Sequence, residues 1–156
     1  MSYPLNFEII PLDEVPWNDS MSFPSRRESV VLVVDDERII ADTLSLILSN
    51  SGYTVLTAYD GKTALEFARA TPPALLITDV VMPGMTGIEL AIMLVEVVPD
   101  CKVLLFSGQA ATVDLLATAR DMGHQFTLLT KPVHPTDMLR RVSNCFVMEE
   151  LVGTSL

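Results

Sequence analysis

Val30-Val31-Leu32-Val33-Val34-Asp35-Asp36 is the stretch on which the fold turns. Its unbroken run of β-branched residues and leucine does not alternate between apolar and polar. It reads as a strand buried on both faces, which belongs in a parallel sheet covered by helices. The two aspartates stand at its carboxyl end. C-terminal to it, residues 38–48 place Ile39, Ile40, Thr43, Leu44, Ile47 and Leu48 at helical spacing, with Gly52 as the stop. The pattern then predicts a strand at 53–58, a helix at 62–70 ended by Pro72-Pro73, and a short apolar strand at 74–78. A helix at 88–98 precedes Pro99, followed by a strand at 103–106, a helix at 112–122 before Gly123, and a strand at 126–129. The last helix, 136–150, carries Met138, Leu139, Val142, Cys145 and Phe146 as its apolar stripe. Five strands alternating with five helices imply right-handed βαβ crossovers and a doubly wound α/β sheet, with ligands gathered at the carboxyl ends of the strands.

The whole chain of 156 residues holds one domain and a short extension. Residues 29–150 form the domain, 151–156 a C-terminal tail, and 1–28 an N-terminal extension with Pro4, Pro11, Pro16, Pro24 and the only tryptophan. Prolines at this density interrupt helix and ladder hydrogen bonding, so the extension is expected to be flexible. Its apolar content (Leu5, Phe7, Ile9, Ile10, Leu12, Val15, Trp17) suits a segment that docks on its own domain or on a partner. Apolar residues at 49% against 19% charged residues fit a buried core. A net charge of −10 argues against direct nucleic-acid binding, which needs lysine and arginine to displace counterions from phosphates. No run reaches the length of a membrane span, and no basic segment leads an apolar one at the N-terminus. Cys101 and Cys145 form no CxxC pair and read as small buried hydrophobes in a reducing compartment. A cytoplasmic protein is expected.

The chemistry lies at the strand ends. Asp35 and Asp36 follow the first strand, Asp79 the third, Ser107 the fourth and Lys131-Pro132 the fifth. Each has an ordinary explanation taken alone. Asp35 or Asp36 can cap the helix that starts near Glu37, Asp79 can form a turn before Pro83-Gly84, Ser107 can cap, and Lys131 can be a surface lysine. Together, three carboxylates on neighbouring strand ends repel one another unless a cation sits among them. With no histidine or cysteine at this rim, oxygen ligands favour Mg2+ over zinc. A magnesium ion, an ammonium and a hydroxyl facing a carboxylate nucleophile are the equipment for phosphoryl transfer. Asp79 is the best nucleophile, because it emerges from the middle of the sheet.

The Asp35-Asp36 pair, the run Asp79-Val80-Val81-Met82-Pro83-Gly84-Met85-Thr86-Gly87, Ser107-Gly108 and Lys131-Pro132 strongly resemble the receiver domain of two-component response regulators over about residues 29–150. The resemblance implies a flavodoxin-like (βα)5 fold with strand order 2-1-3-4-5. It implies that Asp79 is the phosphoacceptor, charged by a sensor histidine kinase or a histidine phosphotransfer protein. Asp35, Asp36, Asp79 and the backbone carbonyl of Val81 would bind Mg2+, Lys131 would pair with the phosphoryl oxygens, and Ser107 would swing to the phosphate. The bond before Pro132 is usually cis in the family. Val81 and Gln109 occupy positions that tune the phosphoryl lifetime, and the apolar Val81 predicts slow self-dephosphorylation.

One departure concerns the switch residue. Receivers usually place an aromatic three positions before the lysine, where this chain has Leu128; the nearest aromatic is Phe126. The two share a strand face, so either can couple the site to the surface. His124 and His134 read as surface or cap residues, and Met82 and Met85 as packing beneath the site loop. The expected function is that of a stand-alone phosphoacceptor signalling domain rather than an enzyme. It would act in a phosphorelay or on a downstream protein partner, with homodimerisation as one output. The alternative is a protein-interaction module of receiver fold that works without phosphorylation.

Overall fold

The structure, a computed structural model, describes residues 30–108, 112–124 and 126–154. The extension 1–28 and Gln109 lie outside the described residues. In chain order the elements are β1 (Val30–Val34), α1 (Arg38–Asn50), β2 (Thr54–Ala58), α2 (Gly61–Ala70), β3 (Leu75–Asp79), α3 (Gly87–Val97), β4 (Lys102–Ser107), α4 (Thr112–Asp121), β5 (Thr127–Thr130) and α5 (Pro135–Thr154). All strand pairs are parallel, in the order β2-β1-β3-β4-β5. Every residue of β1 and β3 is buried, as their unbroken apolar runs require. The edge strands β2 and β5 are partly exposed, with Thr54, Thr127 and Thr130 open to solvent.

Helices cover both faces. Ala64, Leu65 and Ala68 of α2, Ile88, Leu90 and Leu94 of α3 and Ala119 of α4 pack with Leu32, Leu76 and Leu105 on one side. Ala41 and Leu48 of α1 pack with Met138 and Val142 of α5 over Val31, Val33, Ile77 and Leu104 on the other. Alternate residues of each strand feed opposite clusters.

The boundaries differ from the sequence reading in ways that matter for the site. β3 runs to Asp79 and β4 to Ser107, one residue further at each C-terminal end than the apolar runs suggest. Asp79 pairs with Phe106, and the N–H of Val80 then donates to the Phe106 carbonyl at 3.1 Å. Backbone pairing does not depend on side-chain polarity, so a polar residue can hold the last rung. The final helix continues past residue 150 to Thr154, because Glu150, Leu151 and Val152 are compatible with helix and no proline interrupts them.

Cys101 is buried, and burial pushes its thiol up to about 12. Since the thiolate is the reactive form, Cys101 is expected to resist alkylation by iodoacetamide at pH 8 in the folded protein and to label only on unfolding. Peptide mass mapping before and after urea checks this.

Candidate functional site

The carboxyl ends of β1, β3, β4 and β5 converge on one rim. Asp35 is 2% exposed, Asp79 8% and Ser107 buried, while Asp36 faces solvent. One carboxylate oxygen from each of Asp35, Asp36 and Asp79 lies within 4.8 Å of the others. The Lys131 ammonium reaches in from the end of β5, 3.4 Å from Asp79 Oδ2 and 3.7 Å from Asp35 Oδ2. It also stands 5.7 Å from the Phe106 ring centroid. The Lys131 N–H donates to the Ser107 carbonyl at 2.9 Å, extending the β4–β5 ladder one step past Thr130. The Lys131-Pro132 peptide bond is cis.

Local sequence chemistry sets each side chain. Asp35 Oδ1 accepts the Glu37 N–H at 2.9 Å, so one aspartate of the pair does secure the start of α1. Glu37, the N-cap residue itself, makes no side-chain cap bond. The Asp79 carbonyl accepts the Thr78 hydroxyl at 2.9 Å. The loop from Val80 to Gly87 closes by a 2.8 Å bond from the Gly87 N–H to the Val80 carbonyl. Thr86 and Glu89 then form a reciprocal capping box at the start of α3. Gly84 takes a positive φ of 79° in the Pro83-Gly84 turn.

Gly87 meets a tighter constraint. A Cβ there would stand 1.9 Å from the Asp79 carbonyl oxygen. The sequence placed Gly87 within a motif but assigned it no role; its role comes from a close approach between two segments that no local pattern encodes. Thr78 and Phe106 were missed for the same reason.

The electrostatics favour a cation. Burial pushes the Asp35 carboxyl above the ordinary carboxylate range, and the Asp79 and Asp36 charges push the same way. The Glu37 N–H and Lys131 oppose this without cancelling it. Clustered carboxylate oxygens, half enclosed and lacking soft ligands, fit a hard divalent ion.

A family model described as "Response regulator receiver domain" matches residues 31–143. The chain belongs to the response regulator receiver family. It is 32% identical over 117 residues to the response regulator receiver protein CpdR of Brucella abortus, covering 75% of this chain and 96% of that protein. It is 33% identical over 112 residues to the probable transcriptional regulatory protein TcrX of Mycobacterium tuberculosis, covering 72% of this chain and 47% of TcrX. The chain therefore spans about half the length of such transcriptional relatives and nearly all of CpdR. Among solved structures, a CheY-like receiver domain protein from Methanospirillum hungatei aligns with a TM-score of 0.71 at 26% identity, over 78% of this chain and 96% of that one. The chemotaxis protein CheY4 of Vibrio cholerae aligns with a TM-score of 0.68 at 28% identity, over 75% and 98% of the two chains.

The other residues singled out lie at separate places in this receiver, and Phe126 precedes β5, at the end of that strand opposite Lys131. Val81 follows the last rung of β3 by two positions with its side chain 44% exposed. Phe126 and Leu128 are partly buried and pack against the same cluster beneath α4, while Leu129 packs on the opposite face. Phe126 also stacks on His124, with ring centroids 5.6 Å apart. Met82 is buried and Met85 packs against the α2–α3 cluster, under the site loop. His134 Nδ1 accepts the Thr136 N–H at the start of α5. No helix among the described residues is long and apolar enough to cross a membrane.

Proposed function

We propose that this receiver is a phosphoacceptor switch in a two-component relay, with Asp79 as the acceptor. The observation that carries the reading is the position of Asp79, which shares its pocket with two further carboxylates and has the Lys131 ammonium 3.4 Å from Oδ2. An Asp79 carboxylate oxygen attacks the phosphorus of a phosphohistidine on a sensor kinase or histidine phosphotransfer protein. A P–O bond forms, the P–N bond breaks, and the departing imidazole takes up a proton. Asp35, Asp36, Asp79 and the Val81 carbonyl would hold Mg2+, which supplies charge neutralisation for the transferring oxygens. Lys131 supplies the second positive charge, and Ser107 a hydroxyl toward the phosphoryl group.

The acyl phosphate is the signal. It would be read through the surface beside β5, by way of Ser107 and either Phe126 or Leu128, and passed to a downstream protein or to a second copy of this chain. A cytoplasmic site of action fits such donors and the unpaired Cys101 and Cys145 thiols. The test is transfer of radiolabel from a panel of autophosphorylated histidine kinases in the presence of Mg2+. Label is expected on the wild-type chain and absent from Asp79→Asn; label retained by the variant would refute the assignment.

Val81 presents only methyl groups beside the acceptor, so it cannot orient a water for hydrolysis. Val81→Asn, which adds an amide there, is expected to shorten the phosphoryl half-life severalfold. A decay series by quenched mass spectrometry measures it, and an unchanged or longer half-life would remove Val81 from lifetime control. Gln109, the other tuning position, lies outside the described residues.

A further inference from the structure

The outer face of α1 carries large apolar side chains in the open. Ile39 is 82% exposed and Leu46 62%. Seven positions apart, they lie on one side of the helix with exposed Thr43 between them. The extension supplies a matching segment that the phosphoacceptor chemistry does not use, with Leu5, Phe7, Ile9, Leu12, Val15 and Trp17 within thirteen residues. We propose that residues 5–17 of this chain dock along the outer face of α1, over Ile39 and Leu46.

Connection and charge select this occupant and this face. Residue 29 joins the chain at Val30, which pairs with Thr54, and the neighbouring Tyr53 N–H donates to the Leu48 carbonyl in the last turn of α1. The extension therefore enters the domain beside the C-terminal end of α1, one turn from Leu46. Residues 18–29 can span up to about 40 Å when extended, against roughly 20 Å for the length of α1, so the reach is ample. Residues 5–17 carry Glu8, Asp13 and Glu14 and no basic side chain. Met93 and Val97, also exposed, stand on α3, whose only charged residues are the exposed carboxylates Glu89 and Glu96, which repel such a segment. The only charged residues of α1 are Arg38 and Asp42, which cancel.

Trp17 is the only tryptophan, so its fluorescence in the full chain reports on this segment alone. In the native protein its emission is expected to be blue-shifted from that in urea and poorly quenched by acrylamide. Both properties should revert in the Ile39→Glu/Leu46→Glu double variant and persist in Met93→Glu/Val97→Glu, with far-UV circular dichroism confirming that each is folded. Native emission already at the urea position would overturn the proposal without any variant. So would reversion in the α3 variant, or a blue shift that neither variant moves. A blue shift lost on dilution would place the segment on a second copy and also overturn it. Failure of Asp79 to accept phosphate would leave all of these results unaffected.

Discussion

Gly87→Ala is expected to destabilise the protein by about 3 kcal/mol or more, because a buried overlap with backbone cannot be relieved by turning a side chain. The new methyl carbon would lie 1.9 Å from the Asp79 carbonyl oxygen, 2.8 Å from its carbon and 3.1 Å from Thr78 Oγ1. The overlap would drive α3 away from β3 and break the 2.8 Å bond from the Gly87 N–H to the Val80 carbonyl. Because Asp79 is the residue pushed, Mg2+ affinity should fall together with the melting temperature. For a domain of this size the loss corresponds to roughly 10 °C in Tm. Gly84→Ala is the matched control. Its Cβ meets nothing within 4 Å, and only the positive φ of 79° penalises it, by about 1 kcal/mol. Thermal unfolding of the two variants side by side should rank Gly87→Ala well below Gly84→Ala, and an equal or reversed ranking would contradict the close approach.

Asp35→Asn should change the protein in opposite directions with and without metal. In chelator, the wild-type chain keeps three carboxylates together, and burial chiefly, helped by Asp79 and Asp36, raises the Asp35 carboxyl. The folded chain therefore holds the Asp35 proton to higher pH than the unfolded chain does. The stability this contributes is full below the unfolded carboxyl range and is lost as pH rises through the folded value. Raising the pH from the carboxylate range to neutral should accordingly cost the metal-free wild type stability that Asp35→Asn retains. The asparagine oxygen can still accept the Glu37 N–H, so the start of α1 is kept. With Mg2+ present the order should invert. The wild type gains stability with metal concentration, as for any ligand that binds only the folded state, while the variant loses most of that gain and its phosphorylation with it. Urea unfolding across pH, with chelator and with Mg2+, measures both halves. A variant less stable than wild type in chelator at neutral pH would show that Asp35 contributes more as a structural acceptor than it costs as a buried charge.

Much of this was legible in the sequence, for physical reasons that differ by element. The strands at Val30–Val34 and at 74–78 could be read because a strand buried on both faces has no polar alternation to confuse with a surface strand. The acidic pocket could be read because the carboxyl ends of parallel strands share one rim, so residues far apart in the chain were bound to meet there. That Phe126 and Leu128 share a face followed from the two-residue period of a strand, and both pack beneath α4. What escaped was whatever depends on one segment approaching another. Gly87 against the Asp79 carbonyl, Thr78 holding that carbonyl and Phe106 beside Lys131 are products of packing. The last rungs of β3 and β4 also escaped, since Asp79 and Ser107 pair through their backbones while their side chains look like loop residues.

Phosphorylation of Asp79 can be read by intact-mass spectrometry of the full chain after incubation with a small phosphodonor. Wild type with Mg2+, wild type with chelator, and Asp79→Asn with Mg2+ are compared. A single phosphoryl adduct, stable in acid and labile in base, is expected in the first sample alone. An adduct of equal yield on Asp79→Asn, or one formed equally well in chelator, would contradict it.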